Sequence, residues 1–319
     1  MRKIKIINRI RLYLKQYQVL ITIKRKLSLR NIFQRKTVID ETFFIDKFLG
    51  TTSEYNLRSI NFSEGILNTS FLGASYFMNY KPGDQIENTI YTEGNWEGHI
   101  LKIMNSSLSG SMTSNGGGVV LDIGANIGAS SIPLACKFPN IDFFCYEPHP
   151  QIFDRLESNI GLNNLKNVYA VNEAVAYTND KTITFYSQKS SHNMGLSSLT
   201  HNYNIDSHDE ILVNVANLDN LINKNVLLIK IDTQGSEVGV FKMCSDIIKK
   251  CRPVVVFEFE DCYYSNSEKI EAITYLNNFF TGMQYSMFNI TKDFDFLPTV
   301  YLHENYHGDI LCMPKSINS

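Results

Sequence analysis

The 319-residue chain has no apolar run approaching the roughly 18 residues that a membrane-spanning helix requires. Its one N-terminal apolar cluster, Val19–Ile23, is too short for a signal-peptide core and follows too many charges, so secretion by the usual route is not expected. Paired cysteine spacing is also missing. Cys136, Cys145, Cys244, Cys251, Cys262 and Cys312 are scattered without a CxxC, which speaks against a disulfide framework or a zinc module. Most of them sit in apolar runs and read as reduced core thiols, pointing to a cytoplasmic setting. Acidic residues are absent from residues 1–36, where 12 Lys or Arg gather; the rest of the chain holds 18 basic against 32 acidic side chains, a net of −14. So acidic a body lacks the clustered cations that phosphate contacts need, and no nucleic-acid partner is expected.

With 44% hydrophobic and 19% charged residues, the chain has enough apolar material to bury a core without staples. Three regions are expected. Residues 1–36 interleave Ile4, Ile6, Ile7, Ile10, Leu12, Leu14, Leu20 and Ile21 with positive charges. That pattern suits either a solvated helix or tail, or peripheral contact with an anionic membrane face or a partner's acidic groove. Residues 37–117 are mixed, with turn signals at Pro82-Gly83-Asp84 and Gly94-Asn95, and form a cap or acceptor region. The Ser- and Gly-rich run Ser106–Gly118 predicts a boundary loop before a main domain at 118–319.

From Val119 onward, short apolar runs alternate with helix-length amphipathic stretches. The runs Val119–Ile123, Ile141–Tyr146, Val168–Val171, Val226–Ile231 and Val254–Phe259 lack strict alternation, as strands buried on both faces do. Between them Ser130–Lys137, Pro150–Leu162, Ser236–Lys250 and Ser267–Phe280 predict helices. This is the pattern of an α/β, doubly wound and mostly parallel sheet. Thr182–Tyr186 and Ile211–Val215 predict an inserted antiparallel pair, and Gly308–Cys312 a last strand.

Ligands of such sheets bind beyond the carboxyl ends of the strands. After the first run come Asp122, Gly124, Ala125, Asn126 and Gly128. The glycines permit a sharp turn and close approach, the next helix presents its positive end to a carboxylate, and Asp122 offers a charge to an ammonium. A ligand with both groups is an amino acid, and the methionine moiety of S-adenosylmethionine has both. After the second run, Glu147 lies 25 residues beyond Asp122, the range at which an acid receives ribose hydroxyls, and Pro148 stiffens its loop. After the third, Asn172, Glu173 and Ala174 could frame an adenine. After the fourth, Asp232 stands where an acceptor hydroxyl would meet the reactive group; it could take the proton, act electrostatically or hold a divalent cation. Glu237 follows in the first turn of a helix, either as a functional acid or as an N-terminal dipole partner. Glu258 and Glu260 add acid at the same rim, and a buried carboxylate cluster is costly unless paired or metal-bound.

The blocks VVLDIGANIGASS, FFCYEPHPQIFDRLESNIGLNN, NVYAVNEAVAYTND and LLIKIDTQGSEVGVF followed by PVVVFEFED resemble the FkbM-type methyltransferase family from Val119 to Asp261, in order and spacing. The resemblance implies a class I, Rossmann-like methyltransferase fold with an N-terminal extension. It also implies S-adenosylmethionine as cofactor, and usually O-methylation of a sugar or polyketide hydroxyl. Asp122, Gly124, Asn126, Gly128 and Glu147 match its cofactor motif, and Asp232, Gly235 and Glu237 its acidic motif. Glu97, beside the single tryptophan Trp96, is the counterpart of an acid in a lid. The Ser191–Ser198 block fits only in outline; within it His192 is either a general base or a solvent-facing loop histidine. Two alternatives compete. One is a nicotinamide-dependent oxidoreductase, although positions 124–129 read Gly-Ala-Asn-Ile-Gly-Ala rather than G-x-G-x-x-G. The other is a binding protein that keeps the fold without the reaction. The sequence leaves the acceptor and oligomeric state open.

Overall fold

The computed structural model describes residues 65–315 apart from 82–83, 116, 189–198, 200–207, 291–295 and 298–300. The basic segment 1–36 and His192 lie outside the described residues.

Described structure begins with a hairpin of β1 (Gly65–Phe71) and β2 (Ala74–Tyr80), joined at Leu72 and Gly73. Both turn residues have positive φ, 53° and 82°, which suits the tight twist of a two-residue connection. One face buries Leu67, Phe71, Tyr76 and Met78. Two helices follow, α1 (Gln85–Glu93) and α2 (Gly98–Asn115). Asp84 caps α1 by accepting from the Ile86 and Glu87 N–H groups, and Gly94 closes it in the left-handed conformation.

Helix α2 corrects an expectation, because the Ser-rich run read as a loop continues the helix to Asn115. Ile100, Leu101, Ile103, Met104 and Leu108 are buried along it, and their packing outweighs the poor propensity of Ser and Gly. Ser106 and Ser107 satisfy their hydroxyls on the carbonyls of Lys102 and Ile103, each at 2.9 Å, instead of competing with the helix.

The main sheet contains β3 (Gly118–Ile123), β4 (Ile141–Tyr146), β5 (Val168–Val171), β9 (Val226–Ile231), β10 (Val254–Glu260), β11 (Tyr285–Ile290), β12 (Phe296–Leu297) and β13 (His307–Pro314). Its order is β12-β11-β13-β10-β9-β3-β4-β5. The five strands from β10 to β5 are parallel, and β13 runs antiparallel to both of its neighbours. The last strand read from sequence is thus an insertion between β10 and β11, and β11 was not anticipated. Strand order reverses between β3 and β9, the switch point at which a crevice must open.

Helices α3 (Ser131–Lys137) and α4 (Pro150–Leu162) cover one face, together with α2 and the hairpin. Helices α5 (Glu237–Met243), α6 (Ser245–Cys251) and α7 (Asn266–Gly282) cover the other. The single helix expected over Ser236–Lys250 is therefore two, separated at Cys244. The second core is aromatic: Phe241 meets both Phe257 and Phe280 edge-on at 5.0 Å. The expected antiparallel pair is present as β7 (Thr182–Gln188) and β8 (His208–Val215), with the short β6 (Glu173–Ala174) beside β8.

Candidate active site

The crevice at the switch point is lined by the ends of β3, β4 and β9 and by the small β6–β8 sheet. Of the residues expected there, Gly124, Asn126, Glu147, Pro148, Glu173, Ala174 and Asp232 line it. Ile152, Val175, Phe185 and Leu199 supply an apolar wall.

The loop after β3 is shaped from both sides. Gly124 has φ +82° and lies under the Asp232 carbonyl, where a Cβ would come within 1.9 Å of the oxygen. Gly128 has φ +84°, and a Cβ there would meet Ile132 and Leu156 at 2.7 and 2.8 Å. Only glycine serves at either position. The N–H groups of this loop are already committed. Gly124 and Ala125 both donate to the Tyr146 carbonyl at 3.0 Å, and Gly128 donates to Ala125. Asn126 N–H donates to Glu147 Oε2 at 3.0 Å, and Ile127 N–H to the Asn126 side chain at 2.8 Å. The loop therefore offers shape rather than a nest of donors for an anion.

Glu147 is buried at the end of β4. Its Oε1 accepts the His149 N–H at 2.9 Å, which leaves lone pairs on both oxygens for further donors. Burial pushes its carboxyl up to about 7, against the pull of the His149 and Asn126 N–H groups. Asn172 does not line the crevice. Its amide holds the Glu147 and Pro148 carbonyls at 2.8 and 3.1 Å and so shapes the loop.

Asp122 is fully enclosed beneath the crevice floor. It accepts the Ser131 hydroxyl at 2.6 Å, and its other oxygen stands 3.9 Å from the Lys230 ammonium. Lys230 was overlooked in the sequence, although one charge in the buried run Val226–Ile231 is a signal in itself. Its Nζ also donates to Asp232 Oδ2 at 3.2 Å. Burial works against the Lys230 charge, but Asp232, Asp122 and Glu97 raise its affinity for the proton above the ordinary lysine range. Burial likewise opposes ionised Asp232, yet Lys230 and the Gln234 amide hold its carboxyl below the usual value.

Around this pair gathers an acidic rim. Gln234 bridges Asp232 at 3.0 Å and Glu258 at 2.8 Å. Burial, with Asp232, Asp309 and Glu97 nearby, raises Glu258 to about 9. Burial raises Glu97 to about 8, Lys230 opposing and the neighbouring carboxylates adding to it. Asp309 binds the His99 ring at 3.0 Å. Asp309 and His99 are rim groups that sequence reasoning missed, because strand register sets Asp309 opposite Glu258 and helix α2 brings His99 to it.

Glu237 is buried and faces inward. One oxygen accepts the Gly235 N–H at 3.0 Å and the Thr233 hydroxyl at 3.1 Å, and the other accepts the Tyr264 hydroxyl. It ties down the turn that carries Asp232 and does not line the crevice.

A parallel sheet reversing at its centre, one inserted antiparallel strand and acids at successive strand ends define the class I methyltransferase fold. The FkbM methyltransferase domain model matches residues 122–287, more than half of the chain, and the chain belongs to that family. The domain is accordingly that of an S-adenosylmethionine-dependent methyltransferase. A curated relative, Methyltransferase 1 of Beauveria bassiana (strain ARSEF 2860), is 26% identical over 150 residues, covering 40% of this chain and 58% of the relative. The match thus spans less than two thirds of that relative's length. Among solved structures, methyltransferase FkbM of Methylobacillus flagellatus KT is 15% identical, with 62% of this chain and 43% of that one covered and a TM-score of 0.38. Precorrin-6y C5,15-methyltransferase of Geobacter metallireducens GS-15 is 14% identical, with coverages of 68% and 88% and a TM-score of 0.37.

Proposed function

We propose that this protein binds S-adenosylmethionine in the switch-point crevice and methylates a hydroxyl of a sugar, glycan or other small natural-product acceptor. The observation that carries the cofactor reading is the crevice's chemistry. Its loop N–H groups are all committed within the chain from Gly124 to Gly128, and its rim is acidic. A pyrophosphate would find no free N–H donors in that loop, which disfavours a nicotinamide dinucleotide. A cationic, adenosine-bearing ligand meets ionised Asp232 at the same rim. Glu147 would accept the ribose hydroxyls, and Ile152, Val175 and Phe185 would flank the base, with Glu173 and Ala174 at its edge.

When bound, S-adenosylmethionine supplies an electrophilic methyl group on a sulfonium. Asp232, kept ionised by Lys230, would orient the acceptor hydroxyl and receive its proton as the oxygen is alkylated. Lys230 stays charged throughout and holds the Asp232 carboxylate in place from below. Asp122 would act at one remove, by fixing Lys230 and Ser131. Hydroxyl-rich acceptors suit the rim, since Glu97, Glu258 and Asp309 multiply the acceptors available to sugar hydroxyls.

Calorimetric titration with S-adenosylmethionine should show saturable binding of one equivalent, and NADH should show none. Absence of heat and of thermal protection by S-adenosylmethionine would refute the proposal. No helix among the described residues is long and apolar enough to cross a membrane. The 12 cations of residues 1–36 would instead hold the chain at an anionic membrane face, each adding about 1 kcal/mol near the surface. Deleting them should then reduce sedimentation with anionic vesicles.

A further inference from the structure

Strand β10 continues beyond the rim, and its last rung with β13 pairs Glu260 with His307. The preceding rung on the same face is the Glu258–Asp309 pair of the rim. Immediately after β10 the chain turns through Asp261–Tyr263 and brings Cys262 to the surface. Glu260, Cys262 and His307 thereby converge, with one potential ligand atom from each within 4.8 Å of the others. His307 Nδ1 faces Glu260 Oε2 at 2.5 Å. Its other nitrogen, Nε2, lies 3.3 Å from Asp261 Oδ1. Asp261 is itself anchored, since its second oxygen takes the Lys269 ammonium at 2.9 Å and the Asn305 N–H at 2.7 Å.

We propose that Glu260, Cys262 and His307 form a zinc site, with the carboxylate, the thiolate and Nδ1 as ligands and a fourth position open to water. The donor set of one oxygen, one sulfur and one nitrogen suits a borderline-soft cation and not magnesium or calcium, which take oxygen. Ligand atoms on one tetrahedral zinc stand roughly 3.2–3.8 Å apart, so side-chain rotation alone brings these three into range. The Asp261 contact is the second, independent feature. Ligating histidines usually donate their remote N–H to a carboxylate, which fixes the tautomer and the ring orientation. Here a carboxylate already held by Lys269 and Asn305 stands 3.3 Å from Nε2, in place to take that role. Zinc binds the thiolate, so uptake releases the Cys262 proton to solvent. The ion would clamp the rung beside Glu258 and Asp309, holding the end of β10 to the start of β13. None of the three residues lines the crevice, and the site does not depend on the transfer reaction.

The metal-free full-length protein, titrated with zinc against a chromophoric chelator in excess magnesium, should take up one equivalent. Cys262→Ser and His307→Gln should each lose roughly tenfold or more in zinc affinity, and Asp261→Asn roughly 10–100-fold, with S-adenosylmethionine affinity unchanged. Cobalt in place of zinc should give a thiolate charge-transfer band that Cys262→Ser abolishes, while Cys136→Ser keeps it. Circular dichroism checks that each variant is folded. Zinc uptake unaltered by both Cys262→Ser and His307→Gln, or no uptake in competition with the chelator, would overturn the proposal.

Discussion

Gly124 and Asp232 touch through their backbones across the β3–β9 boundary, and the contact leaves no room for a side chain on Gly124. A Cβ would lie 1.9 Å from the Asp232 carbonyl oxygen, at a φ of +82° that side chains disfavour in any case. The relation couples the two halves of the site, because Asp232 N–H also donates to Ile123 just before the glycine, at 2.9 Å. Gly124→Ala should therefore force β9 away from β3. S-adenosylmethionine affinity should fall by about 100-fold or more, the equivalent of roughly 3 kcal/mol. Gly161→Ala is the control. That helical glycine has nothing within 4 Å of an added Cβ, and the exchange should stabilise by about 0.5–1 kcal/mol. Equal melting temperatures and affinities for the two variants would contradict the packing described.

Lys230 is the sole cation held between Asp122 and Asp232 among the described residues. Lys230→Met removes that charge from between the enclosed Asp122 and the crevice-lining Asp232 and should cost about 3–5 kcal/mol in urea unfolding. Adding Asp122→Asn to the same chain should recover part of the loss. Simple additivity of the two substitutions would mean that they do not interact.

Glu147 makes cofactor binding depend on pH. Its raised value of about 7 leaves it largely protonated below neutrality, whereas ribose hydroxyls donate best to the ionised form. Affinity for S-adenosylmethionine should be about tenfold weaker at pH 6 than at pH 8, and binding near pH 7 should release a proton. Glu147→Gln should flatten that profile. The stability effect has the opposite slope. A carboxyl raised from 4.5 to about 7 on folding stabilises fully below 4.5, and that contribution, roughly 3 kcal/mol, is lost as pH climbs through 7. Urea titrations of the cofactor-free protein from pH 4.5 to 8 would measure it.

Asp232 and Glu237 belong to one sequence motif but should respond differently to substitution. Asp232→Asn keeps the volume and the Gln234 neighbourhood while removing the proton acceptor, so turnover should fall by about 10²–10⁴ with cofactor affinity changed less than about threefold. Glu237→Ala strands the Tyr264 and Thr233 hydroxyls and the Gly235 N–H, and should lower stability by about 2–4 kcal/mol. Steady-state kinetics below the melting range separate the two. A fully active Asp232→Asn protein would remove that residue from the proposed mechanism.

Local chemistry determined a large part of this protein before any folding is considered. Ile141–Tyr146 and Pro150–Leu162 were readable to the residue, since a β-branched and aromatic run ends at Glu147-Pro148 and a proline opens the helix that follows. The crevice residues Gly124, Asn126, Glu147 and Asp232 were legible for a related reason: strand ends in a doubly wound sheet are sites by topology. Other outcomes depended on partners remote in the chain. Ser106–Asn115 is helical because Met104 and Leu108 are buried against the rest of the molecule, which Ser content does not reveal. The β1–β2 hairpin holds because Asn159 of α4 and Asn163 just beyond it accept from the backbone N–H groups of Asn79 and Phe77, 80 and 86 residues earlier. Asp122 reads as a ligand-facing acid until Lys230 closes over it, and Glu260 and His307 are unrelated letters until β13 is inserted beside β10. Propensity and periodicity act over a few residues and set elements and turns; burial and ion pairing act between segments, and they decide which acids meet a ligand and which hold the fold.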